Sequence, residues 1–287
     1  MGLMTFDIGG SAVKFGYWNN QALEQTGQFV TPDSFDEMVL EMKKTMATMV
    51  GDIEGIAISS PGVVNAETRR IDGLSAVTYL HGFPIFDALE TAFGLPIAIE
   101  NDANCAGIAE IELGVGKRVK HAVFVVLGTG VGGAIFINRQ LYKGAHLFGG
   151  EFGLMLNRRH RILSNEGTMV KVANKYSELT EQPTDGKQIF ALLEENDELA
   201  TELVTTMYDD IAHVLYNLQV ALDPEMVIIG GGISARPEIS QEISRRLEKL
   251  LEQQGVASIL PEVVSCKFGN DANLIGAAMN FMRVSNA

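Results

Sequence analysis

The chain is poor in cysteine, in basic residues and in long apolar runs. Cys105 and Cys266 are its only cysteines, too few for a disulfide framework, so a reducing cytoplasm is the simplest expectation. No apolar run reaches the roughly eighteen residues of a membrane-spanning helix, so no membrane partner is expected. Lys and Arg total 22 against 36 Asp and Glu, a formal net charge of −14. That acidity argues against a nucleic-acid partner, which requires basic patches. It does not exclude ATP, because backbone N–H groups and Mg2+ can neutralise phosphate locally. The opening "MGLMTFDIGG" has no basic segment, so no signal peptide is expected. No Gly-Lys-Ser or Gly-Lys-Thr string occurs, which excludes a Walker-A loop.

The chain has 287 residues and is 46% hydrophobic, enough for a large core and two domains. The first third reads as a β-meander with apolar alternation at Val13, Phe15 and Tyr17 and turns at Gly9-Gly10 and Asn19-Asn20. A helix follows, capped by Asp33 or Ser34, with Phe35, Met38, Val39 and Met42 at helical spacing. "IEGIAISSPGVV" is a short buried strand, and "LPIAIENDANCAGIAEIELG" a strand running into a helix. A second series begins at His121 with a β-rich hairpin, then a long amphipathic helix, a strand and a glycine turn. "EISQEISRRLEKLLEQQG" is a helix with Ile239, Ile243, Leu247 and Leu250 or Leu251 on one face. The two series repeat one order of elements at an offset of roughly 120 residues, which reads as internal duplication.

Three glycine turns stand out. "LGTGVGG" matches a dinucleotide fingerprint at Gly128, Gly130 and Gly133, but the glycines run into strand-like "AIFIN" where that fingerprint needs a helix. A glycine turn between strands can still aim N–H groups at phosphate, or can simply be a tight hairpin. "FDIGGSAVKFG" is a second such loop. Its Asp7 either satisfies turn amides or bridges to phosphate through a hydrated Mg2+. "IIGGGIS" is the third. The string "NDAN" occurs twice, at 101–104 and 270–273. Asn or Asp at a helix start is ordinarily a cap, so local physics does not choose between the two.

Taken in order, "FDIGGSAVKFG", "SSPGVV", "ENDANCAGIAE", "LGTGVGGAIF", "KGAHLFGGEFG", "LDPEMVIIGGGIS" and "GNDANLIGAA" resemble the ROK family of sugar kinases and sugar-responsive repressors. That family belongs to the actin and hexokinase-like ATPases, and the likeness spans essentially the whole chain. It implies an α/β fold: two duplicated actin-like (ribonuclease H-like) ATPase domains with a cleft between them. The N-terminal sugar kinase domain is expected over 1–117, with a C-terminal helix 271–287 packing back onto it. A nucleotide-binding and dimerisation domain is expected over 118–270. The resemblance assigns Asp7, Gly9, Gly10, Lys14, Gly128, Thr129, Gly130, Gly231 and Gly232 to ATP, with Asp7 holding Mg2+ through water. It makes Asp102 the general base. Ser60, Gly62, Asn101, Glu151 and Glu166 join Asp102 around the sugar, and Asp271 is structural. A homodimer is the expected assembly.

Two departures narrow the substrate. Family kinases often read Glu-x-Gly-His where this chain has "EFGLM", placing Leu154 at the His position. They often carry a Cys-rich zinc segment next, where this chain has "LNRRHRILSNEGTMV" without cysteine. His160 alone cannot make a tetrahedral site, so no zinc is expected. Glu166 stands in for the absent sugar-contacting Glu, and Arg–acid pairs hold the loop. In "GLSAVTYLHGFPI", Tyr79, His81 and Phe83 either form a platform for a second sugar ring or pack as core and turn residues. The zinc-free branch includes β-glucoside kinases and N-acetylmannosamine kinases. The leading expectation is phosphorylation of the 6-hydroxyl of a β-glucoside such as cellobiose. Glucose or an N-acetylated hexosamine is the alternative substrate, and a DNA-binding repressor or an inactive binding protein the alternative class.

Overall fold

The computed structural model describes residues 2–73 and 75–285. Strands β1 (Leu3–Ile8), β2 (Ala12–Trp18) and β3 (Leu23–Val30) form the antiparallel meander. Helix α1 (Phe35–Met46) follows, with Ser34 as its cap: the Ser34 hydroxyl accepts from the Glu37 N–H. Next come β4 (Gly55–Ser60), a small hairpin of β5 (Val63–Asn65) and β6 (Arg70–Asp72), then α2 (Ile85–Phe93), β7 (Ile97–Asn101) and α3 (Asp102–Glu112). The sheet order is β3-β2-β1-β4-β7, with β1, β4 and β7 parallel. Strand β4 is buried at every position, as a strand covered on both faces must be. The register sets Asp7 opposite Ser59 and Ser60 opposite Asn101. These residues therefore share the carboxyl end of three parallel strands, where open α/β sheets bind ligands.

The second series repeats that plan. Strands β8 (Ala122–Leu127), β9 (Val131–Ile137) and β10 (Gln140–Leu141) are antiparallel. Asn138 and Arg139, between β9 and β10, both have positive φ (52° and 64°), which suits the twist of a two-residue hairpin. Helices α4 (Met169–Thr180), α5 (Gly186–Glu194) and α6 (Glu198–Leu222) precede β11 (Met226–Gly230), α7 (Pro237–Gln253) and β12 (Glu262–Ser265). The order β10-β9-β8-β11-β12 copies the first sheet position for position. On α7 the predicted apolar stripe is Ile239, Ile243, Leu247 and Leu251, all fully buried.

The chain then returns to the first unit through α8 (Ala272–Ser285), which packs against α3. The expected helix ran to 287, and its last two residues lie outside the described ones. One unit comprises Met1–Gly114, Gly144–Phe148 and Asn270–Ala287, and the other Val115–Lys143 and Gly149–Gly269. The division falls slightly ahead of the expected 117/118. Arg139 donates to the carbonyl of Lys117 at 2.7 Å, and more weakly to those of Gly116 and Val119, which ties that turn to the second unit. Each unit has its own apolar core.

Candidate active site

The first "NDAN" string divides its labour. Asn101 is the cap of α3: its Oδ1 accepts from the N–H groups of Ala103 (3.0 Å) and Asn104 (3.2 Å). Its Nδ2 donates to the Gly62 carbonyl at 3.1 Å, which leaves one N–H for a ligand. With the cap supplied by Asn101, Asp102 stands at the first helical position. Its Oδ1 accepts from the Ala103 N–H at 2.8 Å. Desolvation raises the Asp102 pKa, and the charge of Asp7 adds to the rise, against the lowering effect of hydrogen bonds from Ala103 and Asn101. The carboxylate is nonetheless only partly covered, so a substrate can reach it. A raised pKa on a reachable carboxylate is what a general base requires.

Six more expected residues lie in the same unit. Ser60, at the end of β4, is fully buried, and its hydroxyl donates to the Pro61 carbonyl at 3.2 Å. Gly62 has φ +99°, and a Cβ there would meet His81 Cε1 at 2.9 Å, so both backbone and packing demand glycine. Asp7 is half-buried at the end of β1. Its Oδ1 accepts from Ser59 Oγ (2.7 Å) and from Asn273 Nδ2 (2.9 Å). Gly9 and Gly10 turn beside it, where an added Cβ would lie 2.9 Å from the Ala12 carbonyl oxygen and from Ala76 Cβ respectively. Lys14 donates to the Asn270 carbonyl at 3.4 Å. The second "NDAN" string therefore reaches Asp7 and Lys14 through Asn273 and Asn270, while Asp271 is exposed. Sequence reading passed over Ser59 and Asn273. The repeated string was the available signal, but it drew attention to Asp271 rather than to its Asn residues.

In the second unit, the register brings the Gly128 loop after β8 beside the Gly231 turn after β11. The glycines there fall into two kinds. Gly231 has φ +92°, and a Cβ on it would lie 2.3 Å from the Leu127 carbonyl, so the fold itself requires it. Gly232 has open space around its Cβ position. A Cβ on Gly128 would meet nothing nearer than the Gly130 carbonyl at 3.9 Å, and one on Gly130 nothing nearer than Ser164 Oγ at 3.4 Å. Neither packing nor a positive φ explains glycine at these three positions. Backbone at such positions is open to close approach by a ligand, and Thr129 beside them is exposed. Gly232→Ala is accordingly expected to leave Tm within about 1–2 °C of the parent while weakening ATP binding. Gly231→Ala should lower Tm through strain. Thermal melts with and without ATP check both.

The segment 155–166 is held by charge. Arg159 donates to Asp210 Oδ2 at 2.6 Å and to Glu166 Oε2 at 2.8 Å, and Arg161 to Glu166 Oε1 at 3.0 Å. Arg158 reaches Asp209 and Asp210 at 3.1 and 3.4 Å. Among the described residues no group of three or more His, Cys, Asp or Glu is arranged to hold a metal ion. The Asp210 side chain is fully buried while its arginines remain partly exposed. Asp210→Asn should thus cost about 1–3 kcal/mol, less than breaking a wholly buried pair, as chemical denaturation would measure. Glu166 is occupied by its two arginines. Glu151 is exposed at the start of a 3-10 turn, and Leu154 in that turn is 56% exposed.

The aromatic stretch resolves unevenly. Phe83 packs edge-on to Phe35 at 5.1 Å against the first core. The Tyr79 hydroxyl donates to the Pro32 carbonyl at 2.8 Å, and burial pushes its pKa up to about 12. His81 lies with Nε2 2.7 Å from Ser75 Oγ and Nδ1 3.3 Å from the Ile71 carbonyl. A carbonyl only accepts, so Nδ1 carries the hydrogen. The ring is a satisfied turn histidine that also abuts Gly62.

A family model described as the ROK family matches residues 4–283. The chain is 35% identical over 298 residues to the Beta-glucoside kinase of Listeria monocytogenes, covering 100% of this chain and 99% of that protein. It is 30% identical over 290 residues to the N-acetylmannosamine kinase of Haemophilus influenzae (strain PittGG), covering 97% and 94%. The crystal structure of a ROK family protein from Streptococcus pneumoniae TIGR4 in complex with sucrose superposes with a TM-score of 0.92 at 32% identity, covering 100% of this chain and 99% of that one.

Proposed function

The chain is a carbohydrate kinase belonging to the ROK family, and we propose that it transfers the γ-phosphate of ATP to the 6-hydroxyl of a β-glucoside such as cellobiose. Asp102 is the general base. The observation that carries this assignment is local: Asn101 takes over the capping of α3, leaving beside it a reachable carboxylate of raised pKa. In the transfer, the sugar oxygen bonds to the γ-phosphorus as the bond to the β-phosphate oxygen breaks. The hydroxyl proton passes to Asp102, and ADP leaves. Asn101 and the Ser60–Gly62 turn orient the sugar, with Glu151 as a further hydroxyl partner and Glu166 offering the lone pairs that its two arginines leave. Gly128, Thr129, Gly130, Gly231 and Gly232 bind the nucleotide, with Gly9, Gly10 and Lys14 at the phosphates. Asp7 would hold Mg2+ through water, and the chemistry supplied there would be neutralisation of charge on the phosphates.

A β-glucoside is preferred because the likeness to a Beta-glucoside kinase is full-length and because this chain carries an apolar, exposed Leu154 where family kinases often carry His. A pocket for an acetamido group needs dedicated buried donors, whereas the N–H that Asn101 keeps for a ligand suits a sugar hydroxyl equally. Mg2+, a cytoplasmic location and a homodimer belong to the same proposal, the first resting on Asp7 and the others on the family. The test is ADP release with Mg·ATP and cellobiose, gentiobiose, glucose, N-acetylmannosamine or N-acetylglucosamine. The highest kcat/KM is expected for a β-disaccharide. A hexosamine in first place would overturn the substrate while leaving the base intact. No stimulation by any sugar would overturn the reaction.

A further inference from the structure

Asn273 stands 266 residues from Asp7 in the sequence, yet its side-chain amide meets the Asp7 carboxylate. We propose that Asn273 is a positioning residue for phosphoryl transfer: with Ser59 it locks the Asp7 carboxylate so that its second oxygen faces the metal-bound phosphates. The proposal rests on the reading of Asp7 as the metal group. Both donors land on Oδ1, Ser59 at 2.7 Å and Asn273 at 2.9 Å. A carboxylate held twice through one oxygen cannot rotate without breaking both bonds, and bonds to an ionised acceptor are roughly twice as strong as neutral ones. Oδ2 is thereby oriented for an outer ligand.

Asn273 is itself well anchored. It lies in the first turn of α8, one turn before Gly276, where that helix touches the Cys105 carbonyl of α3. Helix α3 begins at Asp102. The crossing of two helices thus sets both the amide that aims Asp7 and the helix that carries the base. Nothing in helix propensity favours Asn at this position, since Ala is the better helix former, and its side chain bonds across the unit rather than to its own helix.

Asn273→Leu keeps the shape and removes the donor. The probe is Mn2+ with β,γ-imido-ATP, followed by electron paramagnetic resonance of free Mn2+, beside Mg2+ titration of turnover. Metal–nucleotide binding should weaken roughly 10–100-fold, the Mg2+ concentration for half-maximal rate should rise in step, and KM for sugar should not change. In an Asp7→Asn background the same substitution should add nothing. Parental Mn2+ binding by Asn273→Leu, with Asp7→Asn impaired, would overturn the proposal alone. So would an effect that persists undiminished without the Asp7 charge, because that marks a packing role. Parental binding and turnover in Asp7→Asn would instead sink the reading of Asp7. Should Asn273→Leu not fold, Ser59→Ala removes the other donor, and the same expectations and the same contrary results apply to it.

Discussion

Asp102→Asn is expected to lower kcat by about 10²–10⁴-fold, the range a positioned base contributes, and to raise Tm near neutral pH. The two effects have one cause. Desolvation raises the Asp102 pKa in the folded chain, with the Asp7 charge adding to it. Between the unfolded and folded pKa values the native state binds more protons than the unfolded state. Stability therefore falls as pH rises through that window, and the cost stays at its full value above the folded pKa. Asn cannot ionise, and its Oδ1 can still accept from the Ala103 N–H, so the cost disappears with the charge. The gain in Tm should vanish at pH values below the unfolded carboxylate pKa, where both side chains are neutral. In the parent, kcat/KM should decline as pH falls through the raised pKa, because only the ionised form takes the proton. Calorimetric melts and pH–rate profiles on the same preparations check this. A variant that loses rate without gaining stability would mean that Asp102 is not strained by its burial. Asp271→Asn is the comparison: Asp271 is exposed at the other copy of the string, and its substitution should leave both quantities close to the parent.

The sheets and the α7 stripe were legible in the sequence because periodicity and burial coincide there. Ile239, Ile243, Leu247 and Leu251 recur every four residues and all reach zero exposure. The duplication was legible as a repeated order of elements, and the two sheets realise it with one strand order. The choice between the two "NDAN" strings was not legible locally. An Asn and an Asp at a helix start offer the same caps on paper, and only the fold shows Asn101 taking that role while Asp102 is left partly open. Asn273 was illegible for a different reason: its partner is separated from it by nearly the whole chain, and a single short polar side chain in an apolar helix leaves no periodic trace. The glycines divide in the same way. Sequence marks Gly231 and Gly232 alike. In the fold, φ and the Leu127 carbonyl demand the first, whereas no described atom lies within 4 Å of a Cβ on the second. Around His81 the two readings open in the sequence were platform and turn residue. The pairing of both ring nitrogens with Ser75 and Ile71 supports the turn.

Gly276→Ala is expected to be the most destabilising single-methyl substitution of a helical glycine in the first unit. A Cβ at that position would lie 1.7 Å from the Cys105 carbonyl oxygen, with the carbonyl carbon at 2.3 Å and Cα at 2.9 Å. All three are backbone atoms of α3, so no rotamer change can relieve the contact and the helices must part. Overpacking a core ordinarily costs about 1–3 kcal/mol. A clash with backbone on this scale should exceed that, lowering Tm by roughly 6 °C or more. The neighbours make separation costly: Leu274, Ala277 and Ala278 on α8, with Ile108 and Ala109 on α3, are all nearly or wholly buried. Arg283 and Glu112 pair across the same two helices at 3.1 Å. The substitution touches no residue assigned to sugar or nucleotide, yet metal-dependent turnover should fall with it, since Asn273 rides on α8 and must leave Asp7 as the helix shifts. Urea denaturation beside an Mg2+ titration reads both consequences. A variant that folds like the parent with unchanged Mg2+ dependence would show that α8 can move without disturbing Asp7. A variant that is destabilised but retains the parental Mg2+ dependence would separate helix docking from the aim of the carboxylate.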